Sequence, residues 1–359
     1  AAAAIEEGYI TPDSLIDCEQ GRWRVGGVRI RDDHGQGVVT ATDVIRKSSN
    51  IGIAKIAFRM GKETSLDYLH DFGFGQYSGL DLPGETRGFI RSAESIKTIE
   101  FATTAFGQGA TATAIQLAYA TAAIGNDGAR MRPILIKEVH NEHGEVIVRS
   151  SPTVDLQVVS PKTAQQTIAM METVTQEGGT GKGARVPGFR VAGKTGTAEK
   201  ADPAGGYSET DRIGSWIGLV PAEDPKLAIV VVIDTPTIGE SYGGVVAAPA
   251  FSKIAEGSLR LMGISPDPAL IPPPEVDLDD LDDDTDDDIP YFLRQELAQT
   301  PHAPVGLTWT ADGNFRTPDL RGLSLRDTYS VFQGSGLALL TTGTGQVISQ
   351  DPIAGSIIQ

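Results

Sequence analysis

Residues 188–197, GFRVAGKTGT, set a lysine and two threonines among three glycines, a composition suited to holding an anion. The first eight fit G-x-x-x-x-G-K-[ST], the loop that wraps phosphates in nucleotide hydrolases. Further on, LAIVVVID (227–234) supplies the apolar strand and acidic residue that hold magnesium in such enzymes. A phosphate-binding loop, however, joins a parallel strand to a helix whose N-terminus faces the phosphates. Here residues 189–192 have strand character, and TAEKADPAGGYS after the lysine is a poor helix. The nucleotide reading therefore fails on topology. As a strand, the segment puts Lys194 and Gly196 on one face and Thr195 and Thr197 on the other. A strand glycine marks close approach of another backbone. A lysine with two hydroxyls then suits an extended peptide that adds to the sheet edge and ends in a carboxylate. A solvent-exposed strand with ordinary polar residues stays open as the plain alternative.

A second cluster is Ser48, Ser49 and Asn50, which interrupts two apolar helical stretches in TATDVIRKSSNIGIAKIAFRMG. A hydroxyl and an amide two positions apart can converge on one site, relaying a proton and orienting a substrate amide. Taken alone, the triplet equally serves as a helix N-cap, its commoner use. Together, S-x-N and K-T-G match two of the three signatures shared by penicillin-binding proteins and class A β-lactamases. The third, S-x-x-K, supplies a nucleophilic serine and its lysine. None of the eleven lysines has a serine three positions before it, and the nearest approach, Thr197 to Lys200, uses a threonine already committed to the strand.

These residues need elements to hold them. Ser160 and Pro161 cap and open a helix over KTAQQTIAMMETVTQE that ends at Gly178 and Gly179. TAIQLAYATAAIGNDG forms another, closing at Gly125. After Gly178 the chain turns β-rich: GFRVAGKTGTA, RIGSWIGLVPA and KLAIVVVID, joined by the turns ADPAGGYS and EDP, predict an antiparallel meander. The opening AAAAIEEG reads as the back half of a helix stopped by Gly8, and DPIAGSIIQ ends without a turn or cap, so the chain is expected to be a fragment.

Length and composition narrow the class. With 359 residues, 40% of them hydrophobic, the chain can build more than one domain. A net charge of −17 argues against nucleic acid or an anionic membrane surface as the main partner. Residues 275–288, EVDLDDLDDDTDDD, hold ten acids and no base, so the rest of the chain carries −7. That run, flanked by proline, predicts an extended linker over 265–314; it lacks the glycine turn and spaced ligands of a calcium loop. The single cysteine, Cys18, excludes an internal disulfide framework, and five scattered histidines lack metal-ligand spacing. No apolar run reaches membrane-helix length. Beyond the linker, a helix capped by Ser324, with Leu325, Tyr329 and Phe332 on its apolar side, precedes a hairpin around Gly343 and Gly345.

With these stretches in view, residues 1–264 resemble the transpeptidase domain of class B penicillin-binding proteins, the family that includes the division-septum enzyme. IRDDHGQGVVTATDVIRKSSNIGIAKIA, FGQGATATAIQLAYATAAIGNDG, METVTQEGGTGKGARVPGFRVAGKTGTAEK and SWIGLVPAEDPKLAIVVVID carry the likeness, in order, with YGGVVAAPAF after them. Residues 315–359 resemble a PASTA module, short of its last strand. The resemblance implies a mixed α/β serine transpeptidase/β-lactamase-like fold: an antiparallel sheet flanked by helices, a helical subdomain, a cleft between them, and a small α+β module after the linker.

For function, the likeness implies a peptidoglycan D,D-transpeptidase that cross-links D-alanyl-D-alanine stem peptides through an acyl-serine and is acylated by β-lactams, with no cofactor. The nucleophile and its lysine are expected upstream of residue 1. Ser48 then relays a proton, and Asn50 contacts the substrate amide and the nucleophile's lysine. Lys194 holds positive potential over the acylation site, Thr195 and Thr197 bind the substrate or β-lactam carboxylate, Gly196 allows close approach, and the Thr197 N–H forms half of an oxyanion hole. The implied setting is the periplasmic face of the bacterial inner membrane, with a single-pass anchor outside these residues and glycosyltransferase and divisome proteins as partners. A D,D-carboxypeptidase or β-lactamase is the alternative within the enzyme class, although the 144 positions from Asn50 to Lys194 and the PASTA-like tail favour the larger transpeptidase. A non-catalytic β-lactam or muropeptide receptor is the alternative outside it. Residues 106–109 (FGQG) are expected to form a turn into a helix, Tyr242, Gly243 and Gly244 to border the cleft, His34 to be structural, and Trp216 to lie in the core.

Overall fold

A computed structural model describes residues 1–80, 82–201, 206–237, 239–271 and, near the C-terminus, 308–309, 315–321, 323, 328, 331–332, 347, 350, 352–354 and 356–358. The chain divides into two compact units, Ala1–Pro273 and Pro274–Gln359. In the first, α1 (Ala2–Glu6) leads through β1 (Leu15–Asp17) to the hairpin of β2 (Arg22–Val25) and β3 (Val28–Arg31), then to β4 (Val38–Thr40), which pairs antiparallel with β1. Helices α2 (Ala41–Arg46), α3 (Asn50–Met60), α4 (Lys62–Asp71), α5 (Thr98–Ala105) and α6 (Ala114–Gly125) follow. Four short strands form two antiparallel pairs: β5 (Ala129–Met131) with β8 (Val154–Gln157), and β6 (Glu138–His140) with β7 (Val146–Arg149). After α7 (Pro161–Glu172) comes the main sheet, β9 (Ala192–Ala201), β10 (Tyr207–Val220) and β11 (Leu227–Asp234), closed by α8 (Gly243–Val246) and α9 (Ala248–Leu261).

The sheet order is β11-β10-β9 with both pairings antiparallel, the meander that the turn spacing predicts. Its bounds differ from the sequence reading. β9 starts at Ala192 rather than 189, because Val186 and Phe189 close a tight turn, with the Phe189 N–H on the Val186 carbonyl at 3.0 Å. Both β9 and β10 run further toward the connecting turn than expected, past Lys200 on one side and back to Tyr207 on the other. The two predicted helices stand with their caps. Thr113 and Gln116 form a capping box on α6, and Ser160 accepts the Thr163 N–H on α7. The α-helical part of α7 stops at Glu172, and a 3-10 turn, Thr173–Thr175, carries the chain on. There the hydroxyls of Thr173 and Thr175 donate to the Met170 and Glu172 carbonyls, the back-bonding by which threonine competes with a regular helix.

Two cores flank the cleft. Ala4, Ile16, Val44, Ile51, Ile56 and Met170 knit α1, β1, α2, α3 and α7 into a helical subdomain. On the sheet side, α9 lays Phe251, Ala255 and Leu259 against Trp216 and Val220 of β10. Trp216 is wholly buried, with its ring centroid 5.7 Å from that of Phe251. Burying each such side chain is worth about 1.5–3 kcal/mol, so the sheet holds its shape where the cleft needs an unmoving wall.

In the second unit, β12 (Thr308–Trp309), β13 (Phe315–Arg316) and β14 (Ile357–Ile358) form an antiparallel sheet in that order. The side-chain amide of Gln350 donates to the Pro318 carbonyl at 2.9 Å and accepts the Leu320 N–H at 2.7 Å. Phe332 is helical and half-buried. Ser324, Leu325, Tyr329, Gly343 and Gly345, and the acidic run 275–288, lie outside the described residues.

Candidate active site

The loop between α2 and α3 builds one wall of a cleft. Thr40 caps α2 by accepting the Asp43 N–H at 3.0 Å. The helix ends in a Schellman turn: the Ser49 N–H donates to the Val44 carbonyl at 3.0 Å, and the Ser48 N–H to the Ile45 carbonyl at 3.2 Å. The residue at the reversal must be left-handed, and glycine is the usual choice. Here it is Ser48, at φ 58°, a conformation that costs an L-residue about 1–2 kcal/mol. Backbone strain that the surroundings over-determine is characteristic of functional positions. Ser49 then caps α3, accepting the Gly52 N–H at 2.9 Å. The cap within S-S-N is thus its middle residue, leaving the outer two available.

Asp32, just past β3, fixes this loop. Its carboxylate accepts the Ser49 hydroxyl at 2.6 Å and the Ile51 N–H at 3.0 Å. A negative charge at a helix N-terminus is also favoured by the helix dipole. The preceding residue, Arg31, accepts the Asn50 side-chain amide on its carbonyl at 3.0 Å. Residues 49, 50 and 51 are therefore each bonded to residue 31 or 32, which orients Ser48 and Asn50.

β9 builds the other wall. Among the described residues it pairs only with β10, so its second edge is open. Lys194 Nζ crosses the cleft and donates to Ser48 Oγ at 2.7 Å, a contact between residues 146 positions apart. It also reaches the Thr195 carbonyl at 3.0 Å. Lys194 as a whole is half-buried, and burial of its ammonium lowers its pKa to about 8. The Thr195 hydroxyl stays beside it: Thr195 Oγ1 accepts the Lys194 ammonium at 3.3 Å and lies 2.8 Å from Thr180 Oγ1. Thr197 Oγ1 likewise accepts the Gly243 N–H at 3.2 Å, from the start of α8. A Cβ on Gly196 would run into Ser215 Oγ of the paired strand, so a larger residue there would have to turn that hydroxyl aside.

Ser48, Ser49, Asn50, Lys194, Thr195, Gly196 and Thr197 all line one cavity of about 530 Å³, which Ala1, Ala2 and Ala3 of the first helix also line. The arrangement has a definite chemical capacity. Because the Lys194 ammonium occupies a lone pair of Ser48 Oγ, the hydroxyl proton of Ser48 is left to point at whatever fills the cavity. The same ammonium, held in a part-dry site, favours an anion there.

The other singled-out residues fall as follows. Phe106 lines the cavity. Gln108 supports the far end of β9, its amide donating to the Glu199 carbonyl at 3.2 Å. The Arg212 guanidinium stacks over Tyr242, 5.4 Å from the ring centroid. His34 is exposed in a bend. The helix cap that the sequence allowed for the S-S-N triplet falls on Ser49. Sequence reasoning missed Asp32, Thr180 and Ser215, whose contacts are with residues far away in sequence.

Residues 1–256 match the family described as penicillin binding protein transpeptidase domain, and residues 315–359 match the PASTA domain. The chain is 39% identical over 268 residues to stage V sporulation protein D of Bacillus subtilis, covering 74% of this chain and 41% of that protein. It is 37% identical to the peptidoglycan D,D-transpeptidase FtsI of Escherichia coli, covering 74% and 42%. The chain thus spans about two fifths of the length of these relatives. Among solved structures, the transpeptidase domain of penicillin-binding protein 3 from Burkholderia pseudomallei superposes with a TM-score of 0.67 at 35% identity, covering 74% of this chain and 77% of that one. Penicillin-binding protein 3 of Mycobacterium tuberculosis, complexed with aztreonam, gives 0.67 at 33%, covering 76% and 63%.

Proposed function

The chain belongs to the penicillin-binding protein transpeptidase family, and from that membership we propose that residues 1–264 form the greater part of the transpeptidase domain of a peptidoglycan D,D-transpeptidase, joined by a linker (265–314) to a PASTA module (315–359). The observation that carries the reading is the 2.7 Å contact from Lys194 Nζ to Ser48 Oγ across a cleft whose far wall is an open sheet edge.

The S-x-x-K serine and lysine are absent from the 359 residues. We assign them to a preceding helical segment continuous with α1, because Ala1, Ala2 and Ala3 line the same cavity as Lys194. The serine attacks the carbonyl of the penultimate D-alanine, and a tetrahedral oxyanion forms. The Thr197 N–H and the serine's own N–H receive that oxyanion, while the charge on Lys194 lowers its energy. The proton that the attacking serine loses goes to the S-x-x-K lysine and is relayed through Ser48 to the departing D-alanine amine, so Ser48 ends neutral and still hydrogen-bonded to the Lys194 ammonium. Asn50 holds the substrate amide, and Thr195 and Thr197 hold the terminal carboxylate. The acyl group then passes to an amine of a neighbouring strand.

β-Lactams fit the same course, since they present a carboxylate and a reactive carbonyl; aztreonam complexed with the M. tuberculosis relative supports this. Divisome and glycosyltransferase partners, and a periplasmic setting with a single membrane anchor, belong to the same reading. Among the described residues no helix is long and apolar enough to cross a membrane.

The test is covalent labelling. A penicillin reporter should leave the 359-residue chain unmodified and give one adduct per molecule, by intact mass, on a longer chain that carries S-x-x-K. An adduct on the 359 residues, or none on the longer chain, would sink the assignment.

A further inference from the structure

The hairpin of β2 and β3 carries charge that the cleft chemistry does not use. Its register sets Arg22 opposite Arg31 and Arg24 opposite Arg29. Residues two apart in a strand share a face, so all four arginines stand on one face, and all four are exposed. The other face supplies Trp23, Val25 and Ile30 to the helical core. The reversal is Gly26 and Gly27, at φ 55° and 85°, a two-residue turn that holds the pairing tightly. Like charges directly opposite across a ladder are destabilising. Among the described residues none of the four arginines makes an ion pair or a side-chain hydrogen bond. Nearby cations do: Lys55 pairs with Glu19 at 2.7 Å and Arg46 with Asp43 at 3.4 Å. Nor is this general basicity, since the chain carries −17.

The face adjoins the cleft. The Arg31 carbonyl holds the Asn50 side chain at 3.0 Å, and Asn50 lines the cavity. Guanidinium forks match planar oxyanions in two-point contacts, which ammonium groups do not. The two rows, Arg22 with Arg31 and Arg24 with Arg29, lie about 6–7 Å apart along the strand, suiting an extended ligand with repeated anions. We propose that this arginine face is a recognition track for the peptidoglycan strand entering the cleft, holding the carboxylates of its peptides. The identity of the ligand rests on the transpeptidase reading; the anion-binding face does not.

To test it, soluble uncross-linked glycan strands bearing stem peptides are titrated calorimetrically into the 359-residue chain. A variant carrying Arg22→Gln, Arg24→Gln, Arg29→Gln and Arg31→Gln is titrated beside it. The variant should bind roughly tenfold more weakly, the sum of four exposed charge contacts. Amidating the strands' carboxylates should remove the same increment, and raised salt should erase the difference. Because like-charge pairs are removed, the variant's melting temperature should hold or rise. Equal binding by both proteins overturns the proposal. A lower melting temperature, which would make the arginines structural, does so too. Inorganic polyphosphate binding the native face more tightly than the glycan strands would replace the carboxylate ligand with a phosphate polymer and likewise overturn it. In the longer, S-x-x-K-bearing protein, Arg22→Gln, Arg24→Gln and Arg29→Gln together should leave penicillin acylation at the native rate. If that native protein is itself not acylated, the transpeptidase reading fails, and the titration still decides the arginine face.

Discussion

On one wall of the cleft, β9 delivers Lys194, Thr195, Gly196 and Thr197 by strand repetition: the lysine reaches Ser48, while the threonines are anchored by Thr180 and Gly243. On the other, Ser48 reaches the same contact from a left-handed turn between two helices, held by Asp32 and the Ser49 cap. One wall is regular and buried against Trp216, and its position follows from packing. The opposite wall is a strained reversal, and its position follows from three hydrogen bonds to residues 31 and 32. Regular structure places a charge cheaply; an isolated hydroxyl at a set angle needs a backbone that regular structure does not offer.

If the walls meet as described, the largest effect belongs to the charge that spans them. In the longer protein with S-x-x-K, Lys194→Ala should slow penicillin acylation by roughly 10²–10³-fold, the scale for losing an electrostatic or acid–base group. Stopped-flow acylation of a folded variant checks this, and an unchanged rate would break the link between the walls. Asp32→Ala should loosen the turn alone. Losing two hydrogen bonds to a charged group should cost about 1.5–3 kcal/mol of stability in urea unfolding, and Asp32→Asn should recover part of it. Were Asp32→Ala as stable as the native chain, the turn would not depend on its clasp.

Glycine should act oppositely on the two walls. Ser48→Gly relieves the left-handed strain and should be about 1 kcal/mol more stable than Ser48→Ala, although both lose the hydroxyl. Gly196→Ala must push Ser215 aside and should be less stable than the native chain by about 1–3 kcal/mol. The same denaturation series measures both, and like signs at the two sites would erase the contrast. The pH response is the mildest expectation. Burial lowers the Lys194 pKa from 10.5 to about 8, so acylation should decline as pH rises through about 8 and the charge is lost. Lys194's contribution to stability runs the other way. Between about 8 and 10.5 the unfolded chain binds more protons than the folded one, so the penalty for burying a charged lysine fades as pH rises. Parallel acylation and unfolding profiles test the opposed slopes.

Legibility follows the same division. The meander, the capping box at Thr113 and Gln116, and the Ser160 cap before Pro161 were all readable, because each is encoded within a few consecutive residues. So was the exclusion of a nucleotide loop, since the residues after Lys194 could not start a helix, and they continue as strand. The start of β9 was misjudged by three residues, where a local turn overrode β-prone side chains. Ser48 was singled out, but nothing in the triplet announced a left-handed serine where glycine would be easier.

Periodicity, caps, turn chemistry and the acidic run were set by neighbours in the chain, within reach of one turn or one strand. The meeting of Ser48 with Lys194, the clasp by Asp32 and the conflict between Gly196 and Ser215 were not. Each depends on how separately packed elements come to rest against one another: a helical core around Ile51 on one side, and a sheet core around Trp216 on the other. Local propensity is a sum over adjacent residues, whereas the 2.7 Å across the cleft is a difference between the positions of two cores, and no short stretch of sequence contains both.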